Sequence, residues 1–274
     1  MMFSYPDFIR FNDMTGEPYI VVPLLARYVR RHLHYILVRD NGKQALLKYV
    51  YVDGYYRLYS NDMLMGAIKR FIADYDEELV KMSKVAETLQ HITTDLNYVS
   101  QDELDANENL INFRNGLLHV TENDINLVPH TPLVYSTIQI PCAWKGKPEP
   151  TPVFDAYLKT LTNGEAAVAN LLLEFIGACI SNVKGHRMKK SLFLLGDGDT
   201  GKAQLKALVE RLLGRTNCIG IDLKEIEARF GTNAVYGTRL AGSSGMSFLS
   251  VNELKAFKNL TGGDVVYGNM LLPA

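Results

Sequence analysis

The sequence predicts an α/β protein in two parts, a mixed α+β segment followed by a domain built on a parallel sheet. Three observations carry this expectation. A GxxxxGK pattern, Gly196-Asp197-Gly198-Asp199-Thr200-Gly201-Lys202, directly follows the apolar run Ser191-Leu192-Phe193-Leu194-Leu195. Behind it Leu205, Leu208, Val209, Leu212 and Leu213 recur at helical spacing up to Gly214, so strand, loop and helix N-terminus follow in that order. Upstream, helical patterns alternate with two hairpin signatures, Asp53-Gly54 and Asn115-Gly116, each set between apolar runs.

In chain order, the first element is a helix from Pro23 to His34. Its spacing puts Leu24, Leu25, Tyr28, Val29 and Leu33 on one half and Arg27, Arg30, Arg31 and His34 on the other. No acidic residue lies between Glu17 and Asp40, so this face is a candidate nucleic-acid contact through Arg27, Arg30 and Arg31, although a solvated helix face is the commoner meaning of such a run. Leu46 to Tyr59 reads as a hairpin crowded with Tyr49, Tyr51, Tyr55, Tyr56 and Tyr59. Such rings stack on bases or, more commonly, pair across the hairpin and fill a core. Asn61 and Asp62 offer a helix start before Met63, Leu64, Ala67, Ile68, Phe71 and Ile72, and a second helical pattern runs from Leu79 to Ile92. Asp102, Glu103, Asp105 and Glu108 form an acidic connector ahead of the hairpin around Asn115-Gly116.

Pro129, Pro132, Pro141, Pro148, Pro150 and Pro152 mark the passage between the parts, which sets the domains at 1–148 and 149–274. From Thr151 the order is helix, helix, strand, loop and helix, then a strand at Asn217 to Ile221 and a short helix opened by Asp222 and Glu225 as a capping box. This alternation implies a parallel sheet with helices on its faces and a ligand at the carboxyl end of the strand entering the loop. The helix from Ala166 to Val183 is strongly apolar but carries Glu174 at its middle, which fits a buried helix better than a membrane span.

Composition fits a globular protein of 274 residues, 47% hydrophobic and 22% charged, with net charge −1. That balance gives no overall support for nucleic-acid binding, so any such surface must be local. Cys142, Cys179 and Cys218 are widely spaced and have no His at metal-ligand spacing, which points to reduced thiols in a cytosolic protein and to no zinc site. The start, Met1-Met2-Phe3-Ser4-Tyr5-Pro6-Asp7, lacks the basic and apolar regions of a secretory signal. A second basic run, Lys184, His186, Arg187, Lys189 and Lys190, fits either a DNA-facing surface or a solvated edge.

A GxxxxGK loop turns backbone N–H groups toward phosphate oxygens, the helix dipole adds to the attraction, and the Lys reaches the outer phosphates. Gly196, Asp197, Gly198, Asp199, Thr200, Gly201, Lys202 and Ala203 are therefore the candidate nucleotide-binding residues. Ala203 stands where a Ser or Thr hydroxyl normally helps to hold Mg²⁺. No catalytic residue and no metal ligand is assigned from the residues themselves.

The phrase Asn109-Leu110-Ile111-Asn112-Phe113-Arg114-Asn115-Gly116-Leu117-Leu118, then Pro129-His130-Thr131-Pro132 and Ser136-Thr137-Ile138-Gln139-Ile140-Pro141, resembles the module ahead of the motor in phage and plasmid primase-helicases. The loop GDGDTGK and the later Leu260-Thr261-Gly262-Gly263-Asp264 resemble the superfamily 3 helicase domain of the same proteins. The resemblance implies an N-terminal accessory module and a partial AAA+-like domain, ATP with Mg²⁺ as cofactor, DNA as partner, and a homo-oligomeric ring or related helicase subunits. It further implies a replication protein of a mobile element, acting in the cytoplasm of a bacterial host and not at a membrane.

Three departures accompany it. Ala203 replaces the Mg²⁺-holding hydroxyl. The segment expected to carry Walker B acids, Thr238-Arg239-Leu240-Ala241-Gly242-Ser243-Ser244-Gly245-Met246, holds no Asp or Glu. The chain stops at Ala274, before the sensor residue and arginine finger the family would supply, so it reads as shortened. Glu253 and Asp264 are the nearest downstream acids that could substitute. The expectation is a helicase-type NTPase with impaired hydrolysis or, as the alternative, a noncatalytic remnant that binds DNA, nucleotide or a partner. A primase is not expected, because no paired acidic motif suits two-metal nucleotide addition.

Overall fold

The computed structural model of the protein describes residues 5–39, 46–94, 98–228, 231–235, 237–245 and 254–263. The chain divides into two compact units, Met1–Leu104 with Thr131–Thr137, and Asp105–His130 with Ile138–Ala274. Both mix helices with small sheets.

In the first unit a short antiparallel pair, β1 (Ile9–Phe11) and β2 (Pro18–Ile20), leads into helix α1 (Val22–His32). A proline in its first turn suits the helix start, and Val22, Leu25, Ala26 and Val29 turn one stripe to the core. Strand β3 (Tyr35–Arg39) pairs antiparallel with β4 (Leu46–Val52), which returns through Asp53 and Gly54 into β5 (Tyr55–Leu58). Asp53 and Gly54 have φ of 55° and 91°, the left-handed pair that a tight two-residue hairpin turn requires.

Helix α2 (Asn61–Ala73) starts one residue earlier than its expected caps, because the Ser60 hydroxyl accepts the Met63 N–H at 3.2 Å, a cap of about 1 kcal/mol. The helical pattern expected from Leu79 opens as a 3₁₀ turn, Glu77–Leu79, before helix α3 (Met82–Thr93). Strand β6 (Tyr98–Ser100) joins β3 in parallel and completes the order β5-β4-β3-β6.

Leu25, Val29, Val50, Leu64, Ile68, Ile72, Val85 and Ile92 form the main core of this unit. The opposite sheet face packs Ile36, Val38, Leu47 and Tyr56 with Leu104. There Tyr56 donates its hydroxyl to the Pro132 carbonyl at 2.7 Å, and burial pushes that phenol up to about 12.

The second unit opens with a three-stranded meander, β7 (Leu110–Phe113), β8 (Gly116–Val120) and β9 (Ile125–Val128). Helices α4 (Pro152–Leu161), α5 (Ala166–Ile180) and the short α6 (Gly185–Met188) follow. Next come α7 (Lys202–Leu213), β10 (Cys218–Gly220), α8 (Leu223–Glu227), α9 (Gly231–Val235), β11 (Leu240–Gly242) and α10 (Lys255–Gly262). β10 and β11 run parallel, Cys218 opposite Leu240.

The core of this unit joins Phe113, Leu118 and Ile140 to Leu158, Leu172, Ile176, Leu205, Val209 and Leu213. Helix α5 departs from the expected buried helix: it buries only Leu172, Ile176 and Cys179, and Leu171 is 56% exposed. Arg239, just before β11, donates to the Ser181 carbonyl at 2.9 Å and to Asn182 Oδ1 at 2.8 Å. Asn182 in turn donates to the Asp105 and Asn107 carbonyls, which fixes the connector to this unit.

Among the described residues no single helix is long and apolar enough to cross a membrane.

Candidate phosphate loop and basic helix

The apolar run before the loop does not form the strand expected of it. Ser191 to Leu195 make no ladder with the described residues, although the alternation survives. Leu192 and Leu194 pack on the core, whereas Phe193 and Leu195 are 48% and 79% exposed. Alternation fixes which side chains face inward, but a strand also needs a neighbouring backbone, and β10 and β11 are paired with each other.

The loop itself folds around its lysine. Gly196, Asp199 and Gly201 take φ of 149°, 57° and 90°, and Gly201 caps α7. Thr200 Oγ1 donates to the Asp197 carbonyl at 3.0 Å. Lys202 Nζ donates to the Gly196 carbonyl at 3.1 Å, the Asp197 carbonyl at 2.5 Å and Thr200 Oγ1 at 2.8 Å. The ammonium is thereby drawn back over the loop at the positive end of a helix of 12 residues. Tyr157 of α4 donates its hydroxyl to the Gly201 carbonyl at 2.9 Å. An anion approaching the start of α7 would meet a fixed positive charge and first-turn N–H groups together. Asp197 and Asp199 are exposed and do not close the loop.

The residues present do not fit a divalent cation at this loop. Ala203 is exposed and offers only a methyl group, and β11 carries Leu240, Ala241 and Gly242. Four acids after the loop are engaged in the fold. Glu210 pairs with Lys206 at 2.5 Å, Asp222 and Glu225 close a capping box on α8, and Glu227 accepts the Ala256 and Phe257 N–H groups at the start of α10. Among the described residues no group of three His, Cys, Asp or Glu could hold a metal ion. Glu253, Asp264 and Met246 lie outside the described residues.

In the first unit, α1 exposes Arg27, Arg30 and Arg31, and its last turn adds His32, whose ring stacks on Tyr28 at 3.9 Å. Of the hairpin tyrosines, Tyr51 and Tyr56 face each other across the strands with centroids 5.2 Å apart and Tyr135 meets Tyr56 at 5.8 Å, whereas Tyr55 lies under the Arg57 guanidinium at 4.8 Å. Lys184, His186, Arg187, Lys189 and Lys190 are exposed in the second unit, and Arg187 pairs with Glu108.

Sequence reasoning passed over what the polar residues of the Asn109–Leu118 phrase do. Asn112 is buried, and its Oδ1 accepts from His130 Nε2 at 3.1 Å and from Gln139 Nε2 at 3.2 Å. Asn115 holds the Trp144 backbone from both sides, donating to its carbonyl at 2.9 Å and accepting its N–H at 2.8 Å. These contacts join three separated phrases into one hydrogen-bonded seam, a structural role. Tyr157 was also missed, since a lone Tyr on an amphipathic helix carries no positional signal.

The hairpin seam and the helix-capped loop belong to a mixed α/β protein with several small sheets. The chain belongs to the family described as D5 N terminal like, the N-terminal domain of phage and plasmid primase-helicase-like proteins, which matches residues 27–163, half of its length. No curated protein matches it.

Proposed function

We propose that this protein serves DNA replication in a phage or mobile element, holding nucleotide phosphates on the 196–202 loop and DNA phosphates along α1. By descent it is a helicase-type P-loop NTPase of superfamily 3, with an accessory module over 1–148 and part of an AAA+-like domain with a parallel sheet over 149–274. The packing of the P-loop part also recruits the meander of residues 110–128. The observation that carries the reading is the closure of Lys202 Nζ over the Gly196 and Asp197 carbonyls at the N-terminus of α7. Family membership supplies the replication context. Ring-forming copies or related helicase subunits are the partners this reading implies, and the bacterial cytoplasm its location.

A second reading is a noncatalytic remnant that binds DNA, nucleotide or a partner without productive turnover. Ala203 and the acid-free β11 favour it, since phosphoryl transfer needs metal-neutralised charge and a positioned water. Both readings share the loop, so nucleotide binding tests them together. Titrating ATP or ADP calorimetrically should show weak binding, lost in Lys202→Ala and nearly independent of Mg²⁺. A large Mg²⁺-dependent gain would overturn this account of the site.

A further inference from the structure

The hydroxyl of Tyr157 and the loop residue it contacts are 44 residues apart in sequence, yet the bond is 2.9 Å long and ends on the Gly201 carbonyl. That carbonyl also accepts the Gln204 N–H at 2.9 Å and the Leu205 N–H at 3.2 Å, so three donors converge on one oxygen. The ring lies close beneath the same residue: a Cβ at Gly201 would sit 3.3 Å from Tyr157 Cε2 and 3.8 Å from Leu161 Cδ1. Helix α4 is seated by Leu158, which is buried in the core of the second unit. Burial also raises the Tyr157 phenol above its ordinary value.

We infer that Tyr157 is a positioning residue of the phosphate loop, orienting and polarising the Gly201–Lys202 peptide so that its N–H meets a phosphate oxygen. The inference rests on the phosphate-binding reading above. The carbonyl end of this peptide faces three donors, and the opposite end is the Lys202 N–H, one of the first-turn groups that no intrahelical acceptor satisfies. Donors placed on a carbonyl withdraw electron density through the peptide and strengthen its N–H as a donor, the cooperativity of hydrogen-bond chains. Tyr157 therefore acts on the ligand through the backbone, without touching it. Because the contact is to the peptide and not to a base or sugar, its effect is the same for any ligand that presents a chain of phosphates.

The test titrates inorganic tripolyphosphate and ATP onto the full chain, comparing wild type, Tyr157→Phe and Lys202→Ala, with the Lys202 amide followed by ¹H–¹⁵N spectroscopy. Phe keeps the ring and removes only the hydroxyl. Tyr157→Phe should weaken both ligands by the same modest factor, about two- to threefold, because the hydroxyl alters the strength of the Lys202 N–H contact by roughly 10–30% and makes no bond to the ligand itself. The Lys202 amide proton should move upfield in the free variant, while the Val209 amide stays in place. If wild type binds, Lys202→Ala weakens it, and Tyr157→Phe matches wild type in affinity and in the Lys202 amide, the Tyr157 inference is overturned with the phosphate reading intact. If tripolyphosphate fails to bind wild type, or binds Lys202→Ala equally, the phosphate reading falls and takes the inference with it.

Discussion

Asn112 has its amide in an interior position, where Oδ1 accepts from both His130 and Gln139. Replacing it with Ala removes the acceptor the two side chains share and leaves His130 Nε2 with the Phe113 carbonyl at 2.9 Å, so the cost is that of the lost bonds and of the space the amide filled. Asn112→Ala should lower the stability of the second unit by about 1–3 kcal/mol. Trp144, the sole tryptophan, sits beside the Asn115 anchor in that unit, so its fluorescence in urea reports the change. An unchanged midpoint would mean that the seam contributes nothing. The Asn109–Leu118 and Pro129–Pro132 phrases were legible as a family resemblance, but their chemistry was not. The sequence shows Asn112, His130 and Gln139 only as separate positions along the chain, while the fold shows that they meet. The turn at 196–201 was legible for the opposite reason, because Gly196 and Gly201 mark where the backbone takes positive φ.

Elements divide along the same line. Helix α1 and the hairpin of β4 and β5 were readable because a 3.6-residue stripe and an Asp-Gly turn specify them locally. Strand β9 was not, since all of its residues are exposed and an alternation only four residues long, Asp124 to Leu127, is too short to mark a strand. The run 191–195 failed in the reverse sense, having alternation but no partner backbone among the described residues. Helix α1 also carries the element-scale prediction. Its exposed Arg27, Arg30 and Arg31, together with a basic last turn, should meet DNA phosphates and not base edges. Binding should therefore fall steeply with salt and show little sequence preference. Replacing all three Arg by Glu should reduce the log–log salt slope by about 2–3 for duplex DNA, given roughly 0.9 per phosphate contact. An unchanged DNA affinity would return α1 to a solvated face.

At the scale of the whole molecule, the two units keep separate cores, so a change at the loop can alter chemistry without unfolding the protein. The α7 stripe of Leu205, Val209 and Leu213 is intact, and Ala203 points away from that core. Ala203→Ser should therefore leave stability nearly unchanged, because Ser costs an exposed helix position only a few tenths of a kcal/mol relative to Ala. A hydroxyl at 203 adds one Mg²⁺ ligand, and the variant should bind ATP more tightly with Mg²⁺ than without it. Turnover should stay at trace level in both forms, since β11 supplies no carboxylate to position metal or water. Where a transition-state cation has been removed from related phosphoryl-transfer sites the loss is about 10³–10⁵ in rate, so one restored ligand cannot recover the reaction. Phosphate release measured with and without single-stranded DNA decides the matter. Robust, DNA-stimulated hydrolysis by the unaltered chain, abolished by Lys202→Ala, would place working acids outside the described residues, at positions such as Glu253 or Asp264, and would make the protein an active motor.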